Sequence, residues 1–254
     1  MSRLAGRVII VTGGAQGIGR VYCEGLAGEG AKIVVADIDG TRAKAAAEEI
    51  GRRGAKTLAL TADVSKLEDT ERMAKETHER FGRIDGLVNN AAIFQRPAVS
   101  RGPFEKISVE EWDRVMAVNV KGVFLCCRAV LPYMKQQKYG KIVNISSGTV
   151  MSGTARFAQY VTSKAAVIGL TRVVARETGE YNITVNAVAP GLTLSLEDPD
   201  EATIQAHRDR AQAGCIKRIE TPQDLVGTIV FLCSGESDFI TGQTIAVNGG
   251  TNMH

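Results

Sequence analysis

Short runs of β-branched and apolar residues alternate along this chain with longer stretches of helical spacing, and that alternation restricts the fold more than any other feature. Residues 8–12, 32–36, 57–61, 84–88, 141–145, 184–188 and 244–247 read as strands. Segments such as 41–52 and 67–81 carry helix-forming residues at helical spacing. Ile33-Val34-Val35-Ala36 is apolar without alternation, as in a strand buried on both faces. Repeated βα units of this kind predict a parallel sheet with helices on both sides. Right-handed crossovers leave a doubly wound α/β sheet as the simplest arrangement.

No linker, repeat or shift in composition divides the 254 residues, so one domain, 1–254, is expected. The two longest irregular stretches, 94–104 and 191–200, both follow strands. Ligands sit at that end of the strands in open α/β sheets, and loops this long in a compact domain usually carry function.

The first strand runs into Thr12-Gly13-Gly14-Ala15-Gln16-Gly17-Ile18-Gly19, where a helix begins. Glycines there let the backbone turn tightly and approach a pyrophosphate, whose charge the helix N-terminus favours. Gly13, Gln16, Gly17, Ile18 and Gly19 are therefore the expected phosphate cradle. Asp37 ends the second strand, where a carboxylate can accept hydrogen bonds from both hydroxyls of an adenosine ribose and repel a 2′-phosphate. Gln16 and Ile38 offer that phosphate no positive charge, so NAD(H) is expected in preference to NADP(H), with Arg42 the one nearby cation on the other side of the argument.

Tyr160 and Lys164 are four apart in a segment, 158–178, that reads as a helix, which places both side chains on one face. An ammonium beside a phenol favours the phenolate, so a tyrosine there can exchange protons near neutral pH. Ser147 stands just past the strand 141–145 and completes a candidate catalytic set.

Thr12-Gly13-x-x-x-Gly17-x-Gly19, Asn89-Asn90-Ala91, Asn119, Ser147, Tyr160-x-x-x-Lys164 and Pro190-Gly191 occur in one order. So do Ile240-Thr241-Gly242-Gln243 and Val247-Asn248-Gly249-Gly250 near the end. Together they resemble the short-chain dehydrogenase/reductase family over nearly the whole chain. The resemblance implies a Rossmann-type doubly wound sheet and hydride transfer between a nicotinamide dinucleotide and a small alcohol or ketone. It implies that Tyr160 is the acid/base, that Lys164 binds the nicotinamide ribose and lowers the Tyr160 pKa, and that Ser147, rather than Ser146, holds the substrate oxygen. Asn119 would support a proton relay to Lys164. Asp63 and Val64 would contact adenine, Asn90 would pack by the adenine ribose, and Thr193 would hold the nicotinamide amide beside Pro190 and Gly191. A homotetramer is implied as well, packed through helices containing 120–130 and 165–174.

Phe94, Val150, Met151 and Phe157 could line an apolar pocket, and residues 249–254 are similar to the ends of NAD-dependent dehydrogenases of aromatic alcohols. An apolar or aromatic secondary alcohol is thus the expected substrate. The alternative within the same chemistry is an NADPH-dependent 3-oxoacyl carrier-protein reductase. The alternative outside it is a dinucleotide-binding sensor or scaffold without catalysis, against which the intact Ser147, Tyr160 and Lys164 count.

Net charge is +3 from 31 basic and 28 acidic residues that are interspersed, so no basic stripe suggests nucleic acid. The five cysteines and three histidines have no metal-ligand spacing and suggest no disulfide framework. No signal peptide pattern and no apolar run of membrane length is evident in the sequence, and a cytoplasmic protein is expected.

Overall fold

The structure, a computed structural model, describes residues 2–94, 98–196 and 198–253. Residues 95–97 of the first irregular stretch, Glu197 of the second and His254 lie outside the described residues.

Seven strands form one parallel sheet: β1 (Val8–Thr12), β2 (Lys32–Asp37), β3 (Thr57–Thr61), β4 (Gly86–Asn89), β5 (Gly140–Ile145), β6 (Ile183–Pro190) and β7 (Thr244–Val247). Their order across the sheet is β3-β2-β1-β4-β5-β6-β7, so chain direction reverses its march between β1 and β4. A crevice opens beyond the strand ends at such a switch point, and this is the Rossmann-type doubly wound arrangement expected from the sequence.

Among the described residues nine α-helices connect the strands: α1 (Gly17–Gly28), α2 (Gly40–Arg52), α3 (Leu67–Phe81), α4 (Val109–Met116), α5 (Gly122–Gln137), α6 (Thr149–Ser152), α7 (Ala158–Thr178), α8 (Glu201–Gln212) and α9 (Pro222–Cys233). The strand period of two sorts the core. Ile9, Val11, Ile33 and Val35 face Tyr22, Leu26, Ala46 and Ile229 from α1, α2 and α9. Val8, Ile10 and Val34 face Met73, Val130 and Val167 from α3, α5 and α7. Every one of these positions is apolar because both faces of the sheet are covered.

Two departures from the sequence reading have local causes. Ile84 and Asp85 read as the start of a strand, yet β4 begins at Gly86. The Asp85 backbone still bonds to both neighbours, donating to the Val8 carbonyl at 2.8 Å and accepting the Lys141 amide at 2.9 Å, while its buried carboxylate takes the Val8 amide at 2.9 Å and ion pairs with Arg7 and Arg83. The second is length. α4 and α5 are joined through a π-helical turn, Ala117–Lys121, into one helix, Val109–Gln137, long and apolar enough by composition to span a membrane. No contiguous run showed this in the sequence, because charged residues interrupt it. Half of its most apolar stretch is buried, with Leu125, Cys126, Val130 and Met134 in the core against the sheet, as in the central helix of a folded domain.

Candidate active site

A cavity of about 660 Å³ lies over the switch point at the C-terminal ends of the strands. Gly13, Gln16, Gly17, Ile18, Gly19, Asp37, Asp63, Val64 and Asn90 line one part of it; Ser147, Tyr160, Lys164, Pro190, Gly191 and Thr193 line another. Of the catalytic and cofactor-binding residues read from the sequence, Asn119 alone is not on the wall.

The glycine turn is built for close approach. Gly13 and Gly17 have φ of 63° and 54°, a region that favours glycine. A Cβ on Gly19 would stand 2.1 Å from the Gly13 carbonyl oxygen, so the helix can cross the turn this tightly only without a side chain. Asn90 anchors the turn by donating through Nδ2 to the carbonyls of Thr12 and Gly13 at 3.0 and 3.1 Å. α1 starts with no side-chain cap and no acid in its first turn. Its free amides therefore face the cavity wall as an anion site, and a dinucleotide pyrophosphate fits them.

Asp37 is fixed at the end of β2, where its carboxylate accepts the amides of Ala15 and Asp39, both at 3.1 Å. Arg42 is engaged nearby, with Asp39 at 3.3 Å and with the side-chain oxygen of Gln16. Asp63 accepts both the amide and the hydroxyl of Ser65, which sets it at the end of β3 beside Val64.

At the other end, Ser147 follows β5 and Tyr160 and Lys164 project from the first turns of α7. Ser146 and Ser195 also border the cavity, but the Ser146 hydroxyl is committed to the Lys164 carbonyl at 2.9 Å, and Ser147 is the serine that acts on the Tyr160 phenol. The Lys164 ammonium donates to the Ile145 carbonyl at 2.8 Å. Burial pushes its pKa down to about 8. Burial pushes the Tyr160 phenol the opposite way, up to about 12, opposed by a hydrogen bond to Ser147 and by the charge of Arg101. Lowering by Lys164 was expected from the sequence; in the folded chain desolvation sets the direction, the opposing pull comes from Ser147 and Arg101, and the lysine ammonium is held 5.8 Å from the centre of the phenol ring.

Asn119 is wholly buried in the π-helical turn. Its side chain accepts the Ile93 amide at 2.8 Å and donates to the Ser163 hydroxyl at 3.1 Å. It thereby ties the loop after β4 to α7, and its side-chain bonds go to those partners rather than to Lys164. Thr193 donates its hydroxyl to Glu220 at 2.7 Å, a contact for which the sequence offered no signal.

The substrate end is less apolar than expected. Phe94 lines it, but Val150, Met151 and Phe157 do not. Phe157 is buried behind the wall, stacked on Tyr160 with ring centres 4.7 Å apart. Leu192, Leu196, Arg101, Arg210, Thr251 and Asn252 also line the cavity; they fall in segments 94–104, 192–213 and 249–254, where the sequence placed specificity, although none was named there individually. The tail reaches the cavity because Asn248 donates to the Asn252 carbonyl at 3.1 Å and accepts the Gly250 amide.

A parallel sheet with a phosphate cradle at its switch point, and a serine, tyrosine and lysine meeting at one cavity, define an oxidoreductase that uses a nicotinamide dinucleotide. The chain belongs to the short-chain dehydrogenase/reductase family; a family model described as enoyl-(acyl carrier protein) reductase matches residues 13–252. It is 38% identical over 249 residues to BbsD of Thauera aromatica, a subunit of a hydroxy(phenyl)methylsuccinyl-CoA dehydrogenase, covering 97% of both chains. It is 40% identical to the 3-oxoacyl-(acyl-carrier-protein) reductase FabG of Staphylococcus epidermidis, covering 96% of this chain and 98% of that one. Among solved structures it is similar to levodione reductase, with a TM-score of 0.91, 33% identity and 98% of each chain covered.

Proposed function

We propose that this chain, acting as one domain, interconverts a small secondary alcohol and its ketone with NAD(H), the alcohol bearing an apolar or aromatic group. The observation that carries the reading is the meeting of Ser147, Tyr160 and Lys164 on the wall of a cavity that also holds the glycine cradle and Asp37. The dinucleotide, when bound, supplies or takes up the hydride. Amides of the cradle would hold its pyrophosphate, Asp37 its adenosine ribose, Asp63, Val64 and Asn90 its adenine end, and Thr193, Pro190 and Gly191 its nicotinamide end.

Ser147 orients the substrate oxygen, and Tyr160 exchanges a proton with that oxygen at its Oη. A phenol held near 12 keeps its proton at neutral pH and so suits donation to a ketone. For oxidation the phenolate must form, and the charges of Lys164 and Arg101 stabilise it. Lys164 also binds the nicotinamide ribose, and Asn119 supports the relay to it by holding Ile93 and α7 in place. Phe94, Leu192 and Leu196 supply the apolar contacts for the substrate. BbsD, by its name, acts on a compound with a hydroxy(phenyl)methyl group, which supports a benzylic alcohol here.

The likeness to FabG favours one other reading, reduction of a 3-oxoacyl thioester. Asp37 argues against it, since a carboxylate at that point repels a 2′-phosphate. For assembly we propose a homotetramer through α5 and α7, where Phe124 and Val173 are 48% and 55% exposed.

The test is NADH formation over a panel of aliphatic, benzylic and cyclic secondary alcohols, with NADP+ in parallel and Tyr160→Phe as control. Turnover with NAD+ that falls at least a hundredfold in the variant is expected. Turnover with NADP+ alone would overturn the cofactor assignment, and a Tyr160→Phe variant as active as the parent would overturn the mechanism.

A further inference from the structure

Five charged side chains line the cavity among the described residues. Asp37 and Asp63 lie at the ends of β2 and β3, at the adenosine end, and Lys164 belongs to the chemistry. Arg101 and Arg210 remain, so among the described residues the charged side chains on the rest of the wall are cations.

Arg101 is held in place from several sides. Its guanidinium carbon lies 4.1 Å from the centre of the Phe157 ring, and Phe157 stacks on Tyr160. The charge is thus two ring-stacking steps from the proton-transferring phenol. The residues on either side of Arg101 are clamped. Ser100 donates its amide and hydroxyl to Glu111 at 2.6 and 2.5 Å, and its carbonyl accepts from the buried Gln159 at 3.0 Å. Gly102 donates to the Arg156 carbonyl at 3.1 Å. Glu111, the acid closest in this network, is engaged with Ser100 rather than neutralising the arginine. On α8, Arg208 pairs with Glu201 at 2.9 Å, while neither Arg101 nor Arg210 has an acidic partner among the described residues.

A guanidinium with one face on an aromatic ring keeps its N–H edges free, and those edges match a carboxylate in two parallel hydrogen bonds. Resting on the dehydrogenase reading above, we infer that the substrate is a hydroxy acid or its oxo acid, whose carboxylate is held by Arg101 a few bonds from the reacting carbon. Arg210, on the same wall, adds positive potential that favours an anion in the cavity. A phosphate on a thioester arm fits Arg101 less well, because such an arm puts its phosphate many bonds from the carbonyl, whereas Arg101 is close to Tyr160.

The test compares 3-phenylpropanoate, an unreactive carboxylate, with its methyl ester as ligands of the enzyme–NADH complex, read by NADH fluorescence. The acid should bind the parent protein about tenfold or more tightly than the ester, with the preference shrinking as salt rises. Arg101→Gln should bring the ratio close to one, Arg101→Lys should restore part of it, and Arg208→Gln should leave it as in the parent. Equal binding of acid and ester to the parent, or a preference that survives in Arg101→Gln, would overturn the inference. The dehydrogenase reading fails separately, by alcohol oxidation that survives Tyr160→Phe.

Discussion

The Thr193 hydroxyl donates to Oε1 of Glu220 across 2.7 Å, and the same oxygen accepts the Gly191 amide at 3.2 Å. A parallel bridge between Thr193 and Glu220 runs alongside. The loop that would hold the nicotinamide is therefore fastened to the segment before α9 by one largely buried carboxylate. Burial raises the pKa of that carboxylate, against the pull of Thr193 and Gly191. A raised acid is most compatible with folding below its unfolded pKa and loses that contribution as pH climbs through its folded value.

Glu220→Ala should leave the Thr193 hydroxyl without its acceptor and the Gly191 amide with the Val247 carbonyl alone, lower stability by about 1–3 kcal/mol and weaken NADH binding. Glu220→Gln keeps an acceptor oxygen and removes the buried charge, so it should do much less harm at pH 7. Thermal unfolding and NADH titration of both variants check this. Equal damage in the two would mean that the charge, and not the hydrogen bonds, holds the loop.

Lys164 titrates near 8 in the folded chain because it is buried, against 10.5 as its ordinary value. The folded state then binds fewer protons than the unfolded state between those values, so stability due to this group rises with pH across that window. At neutral pH the buried ammonium opposes folding by on the order of 3 kcal/mol. Lys164→Met should abolish turnover yet keep or raise Tm at pH 7 without dinucleotide, and its advantage should shrink by pH 10. A variant that loses the same stability at both pH values would contradict this account.

Gly19→Ala places a methyl 2.1 Å from the Gly13 carbonyl oxygen and 2.5 Å from the Asn90 amide nitrogen. The turn has to open, at a cost of about 1–3 kcal/mol or more. Dinucleotide affinity should fall by more than tenfold in a fluorescence titration, while Gly28→Ala, with nothing near its Cβ, should leave affinity intact.

Phe124→Asp combined with Val173→Asp puts charge on the exposed apolar faces of α5 and α7. Light scattering should show the tetramer of the parent replaced by smaller species in the double variant. A parent that is monomeric, or a variant that stays tetrameric, would rule out this interface.

The alternation of apolar strands and helical segments was enough to place all seven strands within three residues of where they lie at either end. Each strand is short and those inside the sheet are buried on both faces, so the signal is local. The glycine cradle, Asp37, Ser147 and the Tyr160–Lys164 pair were legible for the same reason, since each is tied by short spacing to the end of a strand or the start of a helix. Tertiary structure alone decided the rest. Arg101 reaches the cavity wall because Phe157, Gln159 and Glu111 converge on its segment from α4 and the start of α7. Glu220 meets Thr193 across 27 residues of sequence, and the tail residues Thr251 and Asn252 reach the cavity through a turn held by Asn248. The shift of Tyr160 toward about 12 was likewise beyond the sequence, because desolvation depends on what surrounds the phenol in three dimensions and not on the lysine four residues away.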